Sequence, residues 1–361
     1  MIARKWRRLG GAALVAALLT MTAACGTTGT GGTGGASSAG GGAAQDGKYR
    51  IATVPKIEGI TWFDDMKKGV EQFNTDHGTE VEAWQIGPDS EDAAKQVQII
   101  EDLIAQKVDA IVVVPNDPMA LEPVLTKARQ QGIVVISHEG PALAETEAVD
   151  YDLEAFSNEE FGELMAKKLV EGMGGKTEGK IVGEVGSLTS ETHMAWYNAA
   201  VAWLEKNYPG IKPVQDKPYE DANDDAKARS NALEILKAYP DLDGMLSCSV
   251  SAGSNMAQVL KEKNITSVTL SQLTLPSVAG PYIEEGWIYS GQSWQPAGAG
   301  YAANTLALMI LKGEDVKTGS DLTFDHYDSV KVTDKVVIGD AILQFQKGAE
   351  PFDSWQGKYP F

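Results

Sequence analysis

The sequence has few of the residues that covalent or metal chemistry needs. Among 361 residues there are two cysteines and four histidines. Two cysteines cannot build a disulfide framework, so the stability of the chain must come from its core. His77, His138, His193 and His326 show no metal-ligand spacing, so no metal site is expected. There is no G-x-S-x-G elbow and no H-E-x-x-H, so the usual marks of an activated serine or a zinc hydrolase are missing. Nothing in the sequence calls for a cofactor. Positive charge is scarce: 31 Lys and Arg stand against 50 Asp and Glu, a net charge of −19. Without a basic surplus to hold a phosphate backbone, nucleic acid drops out as a partner. Finally, no apolar run reaches the roughly 20 residues of a membrane span.

What the chain does have begins at its N-terminus. Basic "RKWRR" precedes apolar "GAALVAALLTM" and small "TAAC", the pattern of an export signal over residues 1–24. Cys25 stands where a lipoprotein signal places its acylated cysteine, with Thr22 in place of the usual leucine. Residues 25–48 are rich in Gly, Ser and Thr and read as a flexible tether. The expectation is an extracytoplasmic protein held at the membrane by lipid on Cys25. In that case Cys248 has no partner.

After the tether, short Val/Ile-rich runs alternate with helical spacing. "YRIATVP" (49–55), "EVEAWQI" (80–86), "DAIVVVP" (109–115) and "IVVIS" (133–137) read as strands. The helices between them include 90–108, with Ser90 as expected N-cap, and 118–132, ending at Gly132. The alternation restarts at "GKIVGEVG" (179–186) and runs through 211–219, 242–248, 266–272 and 286–294. Continuous apolar strands separated by helices indicate parallel sheets covered on both faces. Two α/β lobes follow, each a Rossmann-like parallel sheet flanked by helices.

In open α/β sheets, ligands lie beyond the carboxyl ends of the strands. The residues there are the candidates: Lys56, Asn116, His138, Glu139, Thr192, His193, Ser249 and Gln272, with Gln292 and Gln295 as weaker ones. Trp62, Phe63 and Trp294 lie close by in sequence. Polar groups pair with ligand hydroxyls and aromatic faces cover C–H surface. Each candidate also has a plainer reading. Lys56 suits a structural salt bridge, Trp62 and Phe63 suit the core, and one of His138 and Glu139 can face inward, because side chains alternate along a strand. An acid–base role for His138 and Glu139 would need a nucleophile or a held water. The mixed charges of "NDDAKARS" (223–230) read as a solvated helix start.

"VDAIVVVPNDPMALEPVLTKARQQGIVVISHEGP" (108–141) resembles the sugar-binding proteins of ABC importers, the ribose-binding or type I periplasmic binding protein family. Within it the likeness is greatest to the autoinducer-2 and rhamnose-binding branch, and three stretches carry it: "VPKIEGITWF" (54–63), "YEDANDDAKARSNALEILKAYPDLDGM" (219–245) and "VVIGDAILQFQKGAEPFDSWQGKYPF" (336–361). The resemblance implies a sugar or small polyol held between two lobes joined by a three-strand hinge. It also implies delivery to an ABC permease, no enzymatic activity and a monomer. Signalling to a membrane sensor, with autoinducer-2 or a sugar as the signal, is the alternative. The crossings are expected near 149–152, near Trp294 and near 322–328. The lobes would then be 49–149 with 295–323, and 150–294 with 324–361. Lys56 and Glu139 match a ligand-contacting lysine and acid of that family. Thr192-His193 stands where autoinducer-2 receptors carry Asp-Gln, and Cys248 and Val250 where they carry Pro and Ala, so the resemblance leaves the ligand's identity open.

Overall fold

The apolar runs become strands that carry their own crossover helices, as the alternation predicts. The computed structural model describes residues 47–348. The export signal, Cys25, nearly all of the tether and the closing segment 349–361 lie outside the described residues.

The first half runs β1 (Tyr49–Val54), α1 (Thr61–Asp76), β2 (Val81–Gln85), α2 (Ala93–Ala105), β3 (Ala110–Val113), α3 (Pro118–Gln130), β4 (Val134–His138), the short α4 (Pro141–Ala144) and β5 (Tyr151–Glu154). The second half runs α5 (Asn158–Gly172), β6 (Glu178–Val185), α6 (Glu191–Asn207), β7 (Gly210–Pro213), β8 (Tyr219–Glu220), α7 (Asp225–Ala238), β9 (Gly244–Ser247), α8 (Val250–Lys263), β10 (Thr269–Leu273), α9 (Pro276–Glu285) and β11 (Ser290–Ser293). The chain closes with α10 (Pro296–Leu311), β12 (Lys331–Thr333), β13 (Val336–Ile338) and β14 (Leu343–Gln346).

The strands form two sheets, ordered β12-β13-β5-β4-β3-β1-β2 and β14-β11-β10-β9-β6-β7, with β8 added to β6. Every pairing is parallel except β12 with β13 and β11 with β14. The lobe boundaries differ from the sequence expectation. β5 belongs to the first sheet, pairing Ile136 with Tyr151, and β13 pairs in turn with β5. Residues 151–154 and 331–338 therefore belong to the first lobe, and only β14 returns to the second sheet. The crossings fall just after Glu154, at 294–295, and at 339–342. Two of them are tied together: Gly339 N–H donates to Glu154 O at 2.9 Å and Ala341 N–H to Ala155 O at 3.1 Å.

Local chemistry fixes the helix starts. The cap of α2 is Asp92, whose carboxylate accepts from the N–H groups of Ala94 and Lys95, and not the expected Ser90. A carboxylate satisfies two orphan donors and suits the positive end of the helix dipole. Ser90 instead accepts from Lys95 Nζ at 2.7 Å. α3 ends before Gly132, which sits at φ +83°, the left-handed position expected there. The small residues of α10 let it lie against α1. A Cβ on Gly69 would fall 1.9 Å from Ala297 O.

Candidate functional site

The site begins where β1 ends. Gln96, fully buried on α2, donates through Nε2 to Pro55 O and Val114 O, and so fastens the ends of β1 and β3 together. Its Oε1 accepts from Asn116 N–H at 2.8 Å, and Asn116 Nδ2 donates to Lys56 O at 2.9 Å. The Lys56 backbone is thus held from behind and its side chain points into the cleft. Lys56 Nζ lies 2.5 Å from Glu139 Oε2 and 3.3 Å from Ser190 Oγ. Lysine and glutamate are 2% and 5% exposed. Glu139 has φ +61°, a left-handed backbone that costs a non-glycine residue roughly 1–2 kcal/mol. Strain of this kind persists where the surroundings over-determine it, and it clusters at ligand clamps.

Burial alone would raise the pKa of Glu139; the opposing fields of Lys56, His138 and His193 outweigh it and hold the carboxylate at about 2. The carboxylate is therefore ionised, and Thr192 Oγ1 adds a hydrogen bond to Glu139 Oε2 at 3.2 Å.

The second lobe supplies a different pole. His193, in the first turn of α6, accepts at Nδ1 from Gly186 N–H at 3.1 Å. Burial, reinforced by the field of Lys56, pushes its pKa down to about 3. The ring is neutral at pH 7, with Nδ1 as acceptor, so its proton sits on Nε2 and can be donated. Between the lobes stands an aromatic wall. Trp62 meets Trp294 edge to face with centroids 4.5 Å apart, and Phe156, Phe161 and Trp196 back Trp294. Trp294 Nε1 is buried without a hydrogen-bond partner. A buried donor left unpaired costs roughly 1–3 kcal/mol, which a ligand oxygen would relieve.

These groups surround a cavity of about 20 Å³. Lys56, Glu139, Ile60, Trp62 and Phe63 line it from the first lobe. His193, Asn223, Val250 and Leu273 line it from the second, and Trp294 lines it at the crossing. That is room for about one water molecule, so a sugar needs the lobes to part or side chains to move before it fits. A second hollow of about 170 Å³ shares Ile60, Trp62, Asn223 and Val250 and extends past Ser251 and Asp225. Bonds bridge the lobes around the cavity: Ala142 N–H to Glu191 Oε1 at 3.0 Å, Thr189 Oγ1 to Asn116 O at 3.4 Å, and Asn223 Nδ2 to Glu91 Oε2 at 2.9 Å.

Of the sequence candidates, Lys56, Trp62, Phe63, Glu139, His193 and Trp294 line the cavity. The other five stand behind it. Asn116 supports Lys56. His138 donates from Nδ1 to Leu153 O at 2.6 Å, and burial pushes its pKa down. Thr192 braces Glu139, and Ser249 Oγ donates to Asn223 Oδ1 at 3.4 Å. Gln272 is buried against Gly253, where a Cβ would fall 1.9 Å from its Oε1. Gln292 bonds to Ser290 and Ser271 inside the second sheet. Sequence reading missed Ile60, Asn223 and Leu273. Asn223 follows β8, a strand of two residues that was merged with β7. Had β8 been recognised, the same carboxyl-end rule would have selected Asn223. Among the described residues no three His, Cys, Asp or Glu side chains converge as metal ligands, and no helix is long and apolar enough to cross a membrane.

A profile of the periplasmic binding protein domain matches residues 51–315. The D-ribose/D-allose-binding protein of Pseudomonas aeruginosa is 29% identical over 210 residues, 55% of this chain and 62% of that protein. The xylitol-binding protein of Mycolicibacterium smegmatis is 30% identical over 297 residues, 78% of this chain and 77% of that one. Among solved structures, LsrB from Clostridium saccharobutylicum in complex with AI-2 superposes with a TM-score of 0.76 at 20% identity, covering 86% of this chain and all of that one. An L-rhamnose-bound solute-binding protein from Clostridium phytofermentas gives the same TM-score and identity, covering 86% and 99%. At that identity the superpositions establish the fold alone.

Proposed function

We propose, on the premise that this chain belongs to the periplasmic binding protein family, that it captures a sugar or related small polyol between its lobes and delivers it to an ABC importer. The observation that carries the reading is the cavity itself. A neutral-sum charge pair, Lys56 with Glu139, and an aromatic wall, Trp62 with Trp294, line the same small cavity. An ammonium donates to hydroxyl oxygens, a carboxylate accepts from hydroxyl protons, and aromatic faces cover C–H surface. A charged ligand would leave one member of the pair opposed to it. The step is binding, and closure is a population shift driven by contacts that need both lobes.

The names of the curated relatives, D-ribose or D-allose and xylitol, supply the first compounds to test. The export signal and Cys25 support an extracytoplasmic, lipid-anchored working form. A thermal-shift screen of pentoses, pentitols, deoxyhexoses and autoinducer-2 tests the reading. A ligand that binds only the folded form raises stability by RT ln(1 + [L]/Kd), about 2.7 kcal/mol at 100 times Kd. A rise in melting temperature with at least one sugar or polyol is expected; no rise with any compound contradicts the reading.

A further inference from the structure

One bridge between the lobes involves a residue that does not line the cavity. Glu91 lies in the first lobe, ahead of α2, and its Oε2 accepts from Nδ2 of Asn223 in the second lobe at 2.9 Å. Asn223 does line the cavity. Three features aim its side chain. First, Ala222 and Asn223 are both left-handed, at φ +55° and +52°. Asparagine tolerates this conformation and alanine does not, so the turn must be imposed by its bonds. Those bonds are Ala222 N–H to Gly186 O at 2.8 Å and Asn223 N–H to Asp221 Oδ1 at 2.8 Å. Second, Gly186 packs between two cavity side chains. A Cβ there would fall 2.7 Å from Asn223 Nδ2 and 3.0 Å from His193 Cε1. Third, Gly186 N–H also sets the His193 tautomer, so the two second-lobe polar groups share one backbone support.

Glu91 itself is poorly satisfied in the closed form. Its Oε1 is buried without a partner, and burial pushes its carboxyl pKa up. The bond to Asn223 does two things at once. It fixes the amide that lines the cavity, and it ties the two lobes together in the closed form.

We infer that Glu91 is a positioning residue which latches the closed lobes through Asn223 and thereby sets how long the bound sugar is retained. The inference rests on the sugar-binding reading for its ligand. Its signature is kinetic. A latch made only after the lobes meet changes release, whereas entry into the open cleft does not depend on it.

The test uses the full chain, with xylitol, D-ribose and L-rhamnose as probes and tryptophan fluorescence as the readout of binding. For the probe that binds, Glu91→Ala is expected to raise koff about 10-fold or more, with kon changed less than about 3-fold. Asn223→Gly keeps the left-handed turn and removes the amide, and it is expected to do the same. The double variant is expected to be no worse than Asn223→Gly alone, because Glu91→Ala removes only a bond that Asn223→Gly has already lost. An unchanged koff in Glu91→Ala, or additive effects in the double variant, overturns the latch. Small-angle scattering of the ligand-free protein reads the latch without any sugar. Glu91→Ala is expected to give the larger radius of gyration, and identical profiles overturn the latch. If no probe binds the wild type, the sugar reading fails, and the scattering comparison still decides the latch.

Discussion

Lys56 Nζ and Glu139 Oε2 meet 2.5 Å apart at the carboxyl ends of β1 and β4, both buried. Removing one partner of such a pair strands the other charge in a buried site, typically at a cost of about 3–5 kcal/mol. Glu139→Ala and Lys56→Ala are each expected to lower the melting temperature of the ligand-free protein and to weaken ligand binding at least 10-fold. Lys56→Met combined with Glu139→Leu is expected to recover most of the stability and none of the binding. Calorimetry beside titration of the bound sugar separates the two effects. Restored binding in the double variant would show that the pair is only structural.

His193 gives the acid side of the stability profile its slope. Its folded pKa of about 3 lies below the ordinary 6.5, so the unfolded chain takes up the proton first as pH falls. The contribution of the neutral ring is present above 6.5 and is lost progressively between 6.5 and about 3. Glu139, held at about 2 against 4.5, acts in the same sense further down, losing its contribution as pH falls from 4.5 toward 2. His193→Gln is expected to flatten the melting temperature against pH between 6.5 and 4, relative to wild type. An unchanged slope contradicts a neutral buried imidazole.

Glu184 works in the opposite direction. It is fully buried in β6, and burial pushes its pKa up to about 8, although Asn231 Nδ2 donates to it at 2.7 Å. The folded state keeps this proton where the unfolded chain has lost it. Its favourable term is complete below 4.5 and disappears as pH rises through about 8. Glu184→Gln is expected to raise the melting temperature at pH 9 by more than at pH 6. Equal changes at the two values would contradict a protonated Glu184.

Gly186 permits both second-lobe polar groups to reach the cavity. Gly186→Ala is expected to weaken binding about 10-fold or more, because the new methyl meets Asn223 Nδ2 at 2.7 Å and His193 Cε1 at 3.0 Å. Those contacts are with the ends of two cavity side chains and not with backbone, so the melting temperature of the ligand-free protein is expected to fall only slightly. Wild-type affinity in this variant would mean that neither side chain is held in place by the glycine.

The first lobe was largely legible in the sequence because its signals are local. A Val/Ile run ending in Pro-Lys, and another ending in His-Glu, place Lys56 and Glu139 at strand ends without any knowledge of pairing. The lobe boundaries were not legible, because they depend on distant pairings. Val336 lies beside Asp152 in the sheet, and nothing in either stretch alone announces it. Asn223 escaped for a related reason: β8 is two residues long and shows no periodicity, while the charges after it do look like a solvated helix start. The split between lining and support was also hidden. Asn116 and His138 sit at strand ends as expected, yet their side chains turn back to Lys56 O and Leu153 O.

The central claim, that the cleft takes a small uncharged polyol, is tested most directly by calorimetric titration of the mature chain with D-ribose, xylitol and L-rhamnose. The account predicts one site with a dissociation constant of about 1 μM or tighter for at least one of them, about −8 kcal/mol. It also predicts that Glu139→Ala abolishes most of that heat. No saturable heat with any of the three, or tight binding that survives Glu139→Ala unchanged, would contradict it.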